Sequence, residues 1–202
     1  MSKLSDDMPA SGMDEDKDLV LRSKQGDTDA FEQLVIRHQK KMLNIAYRII
    51  GSYEDACDVV QDAFVSSYRD IGSFGGRSRF STWLCTIVIN LSRNRLKQIK
   101  ATWSRNEISI HADEGAVSID PPSGAPSVLE MIEKRDIQRS VQECIKGLEE
   151  DFRIVVVLRD IQGFAYNEIS TVLKMVEGTV KSRIFRAREM LRNCLKEKLG
   201  EL

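Results

Sequence analysis

Cysteine, histidine, proline and aromatic residues are all scarce in this chain, and each scarcity closes off a class of protein. Its 202 residues include four cysteines, two histidines and four prolines, and aromatic side chains make up 6%. Cys57, Cys85, Cys144 and Cys194 contain no CxxC pair, and neither His38 nor His111 makes a metal-ligand spacing with any of them. Zinc ribbons and fingers need such spacings, so no metal site is expected. Each cysteine falls in a stretch that reads as helix, where an inert buried or half-buried thiol is the plain expectation. Few prolines and few aromatics favour helices over a β-sandwich. No run approaches the roughly 18–20 apolar residues of a membrane span. The N-terminus, MSKLSDDMPASGMDEDKD, is acidic and lacks the apolar core of a secretory signal. A cytoplasmic chain is expected. GxxxxGK(S/T), a GxGxxG after a strand, HExxH and GxSxG are all missing. With them go the common enzymes: no catalytic residue, no cofactor and no small-molecule substrate is expected.

What the chain does have is 42% hydrophobic residues, enough for a core, and 30% charged residues that nearly cancel to −1. The near-zero sum hides a segregated pattern. Residues 1–18 hold six acids against two lysines, and 93–105 hold five bases and no acid. Residues 106–133 carry six acids and no Lys or Arg, whereas 174–198 carry eight bases against three acids. Two basic segments with an acidic spacer between them suggest two contacts with a polyanion. The spacer itself, HADEGAVSIDPPSGAPS over 111–127, contains three of the four prolines and no helical period. That composition is a linker's. The expected organisation is all-α: a disordered acidic segment over 1–16, a helical domain over 17–103, a flexible linker over 104–128, and a second small helical domain over 129–198.

Apolar residues in both halves follow three- and four-residue steps, from Phe31, Leu34 and Val35 to Leu43, Ala46 and Tyr47 in the first helix. Gly51 closes that helix, and Ser52 with Asp55 resembles a capping box that opens the next one, with Ala56, Val59, Val60, Ala63 and Phe64 on one face. After a glycine loop from Gly72 to Arg79, a helix begins near Ser81 with Leu84, Ile87, Val88 and Leu91 inward. In the second half a helix ends near Asp160, a short one spans Tyr166–Leu173, and a long basic one starts near Glu177. Short helix, tight turn, basic helix is the helix-turn-helix order.

The last helix is amphipathic. Val180, Ile184, Ala187 and Leu191 form a narrow apolar stripe, Arg183 and Arg188 flank it, and Lys181, Ser182, Phe185, Arg186 and Glu189 lie opposite. Hydrogen-bonding groups crowd its N-terminal half, the part that recognition helices place against base edges. An exposed Phe185 beside Arg186 is out of place on a merely solvated face. The helix near Ser81 carries a second polar stripe, Thr86, Asn90, Arg93 and Lys97, preceded by Phe74, Phe80 and Trp83 interleaved with Arg77 and Arg79. Rings, cations and amides together suit single-stranded nucleic acid. Phe80 and Trp83 read better as core than as base platforms.

These strings resemble a known family. TVKSRIFRAREML (Thr179–Leu191) after YNEISTVL (Tyr166–Leu173) is similar to region 4 of the bacterial sigma-70 family. DACDVVQDAFVSSYRDIGSF (Asp55–Phe74) resembles region 2.2, and FSTWLCTIVINLSRNRLK (Phe80–Lys97) resembles regions 2.3 and 2.4. Two domains and a linker without region 3 match the extracytoplasmic-function (ECF, group IV) members, of the RpoE-like kind. The resemblance implies that Asp55, Asp58, Gln61 and Asp62 meet the clamp helices of the β′ subunit of core RNA polymerase, and that the β subunit is a further contact. It implies that Phe74, Arg77, Arg79, Thr86, Asn90, Arg93 and Lys97 contact the −10 element, with Phe74 and Asn90 at positions that capture a flipped base. Thr179, Lys181, Ser182, Arg183, Phe185, Arg186 and Arg188 would contact the −35 element. Gly75, Thr86 and Val176 depart from the residues common in the family. Also implied are promoter DNA and an anti-sigma factor, often membrane-anchored, as partners, and a stress response as the setting.

Two other readings compete. A helix-turn-helix regulator that does not bind core polymerase would share the C-terminal pattern, but it needs a receiver or ligand pocket upstream, and residues 17–103 show no βα repeats. An RNA-binding or nuclease-like protein would share the basic aromatic patch, but no carboxylate or histidine cluster for hydrolysis accompanies it.

Overall fold

The computed structural model describes residues 15–105 and 128–200. Among these residues there is no strand, and the element order is helix throughout. The first four helices are α1 (Lys17–Lys24), α2 (Thr28–Ile50), α3 (Tyr53–Asp70) and α4 (Phe80–Arg105). The remaining four are α5 (Val128–Gly147), α6 (Glu150–Val156), α7 (Tyr166–Leu173) and α8 (Glu177–Leu199). The linker expected over 104–128 lies, for residues 106–127, outside the described residues.

Local chemistry sets the corners. The Asp27 carboxylate accepts the Ala30 amide at 3.0 Å and starts α2. Gly51 ends it in the left-handed region, φ 87°, which a side chain would strain. Ser52 Oγ then accepts the Asp55 amide at 3.3 Å, so α3 begins one residue later. The capping expectation holds on the Ser52 side; the Asp55 carboxylate instead reaches α4, accepting Arg95 Nε at 2.7 Å.

α2, α3 and α4 pack on one another along faces of Leu34, Met42, Ile45, Ile49, Ala56, Ala63, Leu84 and Val88, all buried. Each of the Leu, Ile, Val and Met side chains among them stabilises the fold by about 1.5–3 kcal/mol relative to exposure. The disordered segment expected over 1–16 lies, for residues 1–14, outside the described residues; its last residue, Asp16, is buried. Its carboxylate meets His38 Nε2 at 2.7 Å and accepts Arg37 Nη1 at 2.6 Å, fastening α1 to α2. The acidic composition hid this single useful carboxylate.

In the second half Val180, Ile184 and Ala187 of α8 are buried against α6 and α7. Between α6 and α7 the backbone widens into a π turn over Val157–Ile161, with the Gln162 amide donating to Val157 O at 3.0 Å. The two halves also share one core: α2 touches α5 and α6, and α4 lies against α7. A second correction concerns the cysteines. Cys144 of α5 and Cys194 of α8 are joined in a disulfide, leaving Cys57 and Cys85 as free thiols. Fifty residues separate the two, and only the α5–α8 packing brings them together.

Candidate nucleic-acid and polymerase interface

Three helix faces carry the residues singled out from the sequence. On α8, the burial of Val180, Ile184 and Ala187 turns Thr179, Lys181, Ser182, Phe185 and Arg186 to the surface. Phe185 is 64% exposed, in keeping with a contact surface rather than a core position. Lys181 Nζ lies 2.7 Å from Glu177 and 5.3 Å from the Tyr166 ring centre, so it is drawn toward α7 at the start of the helix. Arg183 and Arg188 point elsewhere. Arg183 Nη1 donates to Asp151 at 2.6 Å, and Arg188 pairs with Asp160 through Nε at 3.0 Å. That hydrogen bond raises the Arg188 guanidinium above its ordinary pKa, so both cations act as struts within the domain.

On α4 and the loop before it, Arg77, Arg79, Asn90 and Lys97 are exposed and Thr86 is half-buried, its hydroxyl donating to Thr82 O at 3.1 Å. Phe74 is only 6% exposed. Its ring stacks 5.0 Å from Trp83 and 6.2 Å from Phe80, and its carbonyl accepts Lys24 Nζ at 2.5 Å. The aromatic cluster is thus core, as read for Phe80 and Trp83, and Phe74 belongs to it.

On α3, Asp58, Gln61 and Asp62 are exposed on one face, and Asp55 is half-buried in its pair with Arg95. Beside them an open apolar groove of about 500 Å³ runs between α2 and α3, lined by Val35, Leu43, Val60, Phe64 and Val65 among others. Val65, one of its lining residues, is exposed. Among the described residues no cluster of His, Cys, Asp and Glu is placed to hold a metal ion.

Residues 34–102 match the family model for sigma-70 region 2, and residues 138–191 match that for sigma-70 region 4. The chain is 34% identical over 194 residues to the RNA polymerase sigma-H factor of Pseudomonas aeruginosa, covering 93% of this chain and 97% of that one. The chain belongs to the sigma-70 family. It is also 38% identical over 181 residues to the ECF RNA polymerase sigma-E factor of Escherichia coli K12, covering 88% of this chain and 93% of that one. Among solved structures, CnrH in complex with the cytosolic domain of CnrY superposes with a TM-score of 0.66 at 25% identity, over 90% of this chain and 97% of that one.

Region 2 and region 4 of this sigma factor meet through charge, which the sequence reading missed. Arg93 Nε is 3.0 Å from Glu150 and Arg93 Nη2 is 3.1 Å from Asp151, so the α6 N-terminus occupies one cation of the α4 stripe. Arg79 lies 3.9 Å from Glu168 of α7, whose other oxygen accepts the Ala165 amide at 2.9 Å. Arg153 donates to Ile49 O of α2 at 2.6 Å, and Gln162 Nε2 donates to Asn44 Oδ1 at 2.8 Å. A stripe of cations looks the same in sequence whether it faces nucleic acid or a neighbouring helix.

Proposed function

We propose that this sigma factor carries core RNA polymerase to promoters in two steps, with residues 17–103 and 129–198 as separate working domains joined by 104–128. α8 enters the major groove of the −35 element and reads it through Lys181, Ser182, Phe185 and Arg186, with Thr179 at the backbone. The exposed Phe185–Arg186 pair over a buried Val180–Ile184–Ala187 stripe is the observation that carries this reading. Arg183 and Arg188, held by Asp151 and Asp160, position the helix and do not read bases.

The α4 stripe then takes the −10 strand. Asn90 is exposed to hydrogen-bond an extruded base, while Arg77, Arg79 and Lys97 follow the backbone. Extrusion costs a few kcal/mol, which pocket contacts offset. For Phe74 to join that pocket its ring must leave the Trp83–Phe80 cluster, a movement the neighbouring Gly75–Gly76 pair favours. Arg93 becomes available to DNA only when Glu150 and Asp151 withdraw. Asp58, Gln61 and Asp62 contact the β′ clamp helices, and Asp55 braces α3 through Arg95. The chain itself performs no chemistry; the polymerase does.

A cytoplasmic setting fits this work, and no described helix is long and apolar enough to cross a membrane. An anti-sigma factor acting in a stress response is a further proposed partner, in line with the CnrH structure, solved with a second protein bound. In-vitro transcription of genomic fragments with core polymerase and this chain, followed by start-site mapping, tests the proposal. Starts that share spaced −35 and −10 elements support it. Failure to bind core polymerase, with intact duplex binding, supports the helix-turn-helix regulator instead.

A further inference from the structure

The promoter and polymerase surfaces leave the Cys144–Cys194 pair unused, with Cα atoms 5.8 Å apart across α5 and α8. We propose that these two cysteines form a reversible redox-modification site that takes low-molecular-weight disulfides such as glutathione disulfide, and that its oxidation locks the C-terminal half of α8 onto α5.

The other two thiols are unsuited to this. Cys85 is wholly buried, and burial pushes its thiol up to about 12, so no thiolate forms near neutrality. Cys57 is half-buried on α3, where it hydrogen-bonds Tyr53 and has no cysteine partner. The Cys144–Cys194 pair is asymmetric in access: Cys144 is buried, whereas Cys194 is half-buried on a stretch of α8 whose Arg192, Asn193, Lys196 and Glu197 are exposed. Access therefore singles out Cys194 as the sulfur that a dissolved disulfide meets first.

The chemistry balances as two exchanges. The Cys194 thiolate attacks one sulfur of glutathione disulfide, forming a mixed disulfide and releasing one glutathione. Cys144 then gives up its proton and attacks the Cys194 sulfur, closing the protein disulfide and releasing the second glutathione. Two electrons pass from the cysteine pair to the glutathione pair.

Burial shows what the bond controls. The N-terminal half of α8 is anchored by Val180, Ile184 and Ala187, but no residue beyond Ala187 is fully buried. The C-terminal half is held by half-buried Leu191, Leu195 and Leu199, by the Arg188–Asp160 and Lys198–Glu143 ion pairs, and by the disulfide. α5 in turn leans on region 2, where Gln142 accepts Arg48 Nη1 at 2.8 Å and the Lys146 stem packs on Gly51. Oxidation therefore ties the distal end of the recognition helix to the element at the junction of the two halves. In the reducing compartment proposed above, disulfides are characteristically transient and redox-sensing, which is the sense in which this inference leans on that setting.

The full chain is equilibrated against glutathione buffers from fully reduced to fully oxidised, quenched in denaturant with an alkylating reagent, and mapped by peptide mass. The expected product is one disulfide, Cys144–Cys194, with Cys57 and Cys85 alkylated. Hydrogen exchange of amides 190–199 should slow at least tenfold on oxidation while 179–187 stay unchanged. No bond at any ratio, glutathione retained on Cys194 with Cys144 free, or equal exchange at 190–199 in both states would each overturn the proposal. The reduced wild-type chain supplies the comparison without substitution, and a Cys144→Ser/Cys194→Ser chain should match it in every buffer. No DNA or polymerase enters these readouts, so they fail or succeed separately from the promoter reading.

Discussion

Replacing Arg153 tests how the two halves are pinned. Its guanidinium donates to three carbonyls, Ile49 O at 2.6 Å, Lys146 O at 2.5 Å and Leu148 O at 2.9 Å. The first is in the last turn of α2, Lys146 is in the last turn of α5, and Leu148 follows it, where unpaired carbonyls and the helix dipole both favour a cation. Burial lowers the Arg153 pKa, yet an arginine stays charged at any working pH. Hydrogen bonds to a charged group contribute about 1.5–3 kcal/mol each. Water replaces part of that when a partly exposed carbonyl is released, so Arg153→Met, which keeps the stem, should cost about 2–4 kcal/mol in all. With a urea slope of about 2 kcal/mol/M, the midpoint should fall by roughly 1–2 M. Arg153→Lys keeps the charge but serves about one carbonyl, and should recover only about a third of the loss. Urea titration followed by circular dichroism gives both numbers. A shift below about 0.3 M for Met, or full recovery with Lys, would show that the fork geometry contributes nothing.

On the recognition helix, Arg186→Ala should cost about 1–3 kcal/mol against the mapped −35 element and relax preference at one or two positions, measured with a panel of duplexes. Arg183→Ala loses its Asp151 partner instead, and should lower the melting temperature while weakening all duplexes alike. Asn90→Ala should leave folding and duplex binding intact but reduce permanganate reactivity of the −10 thymines, a defect that a pre-melted bubble relieves; equal reactivity on closed duplex would remove the flipped-base role. Glu143 is held below the usual carboxylate range by its hydrogen bond with Lys198. Its contribution is therefore complete above the ordinary glutamate value and is lost as pH falls through the depressed one, so Glu143→Gln should flatten the acid limb of the melting-temperature profile.

Regular helices and their buried stripes were legible because period is a local property. Val180, Ile184 and Ala187 announced the inner face of α8, Gly51 and Ser52 the corner between α2 and α3, and Phe185 an outward ring. Partners from distant segments were not legible. Nothing in the spacing of Arg93, Glu150 and Asp151 distinguishes a nucleic-acid contact from an interdomain one, since a cation stripe serves either anion. Cys144 and Cys194 gave no sign of pairing until α5 and α8 were side by side. Asp16 was lost in a run of acids, although its burial beside His38 is what secures α1. The packing of Phe74 was not legible either: its glycine neighbours suggest a loop tip, whereas its ring lies folded back onto Trp83.

The wide turn over Val157–Ile161 holds one residue more than an ordinary helix would use for the same span. A helix advances about 100° per residue, so removing that extra residue would restore regular backbone and rotate everything after it by roughly a quarter turn. Asp160 would no longer face Arg188, and the Gln162–Asn44 bond would open. Local regularity and correct aim are in opposition at this point. A single-codon deletion there should yield a chain with its helices intact whose exposed Phe185–Arg186 face looks in another direction.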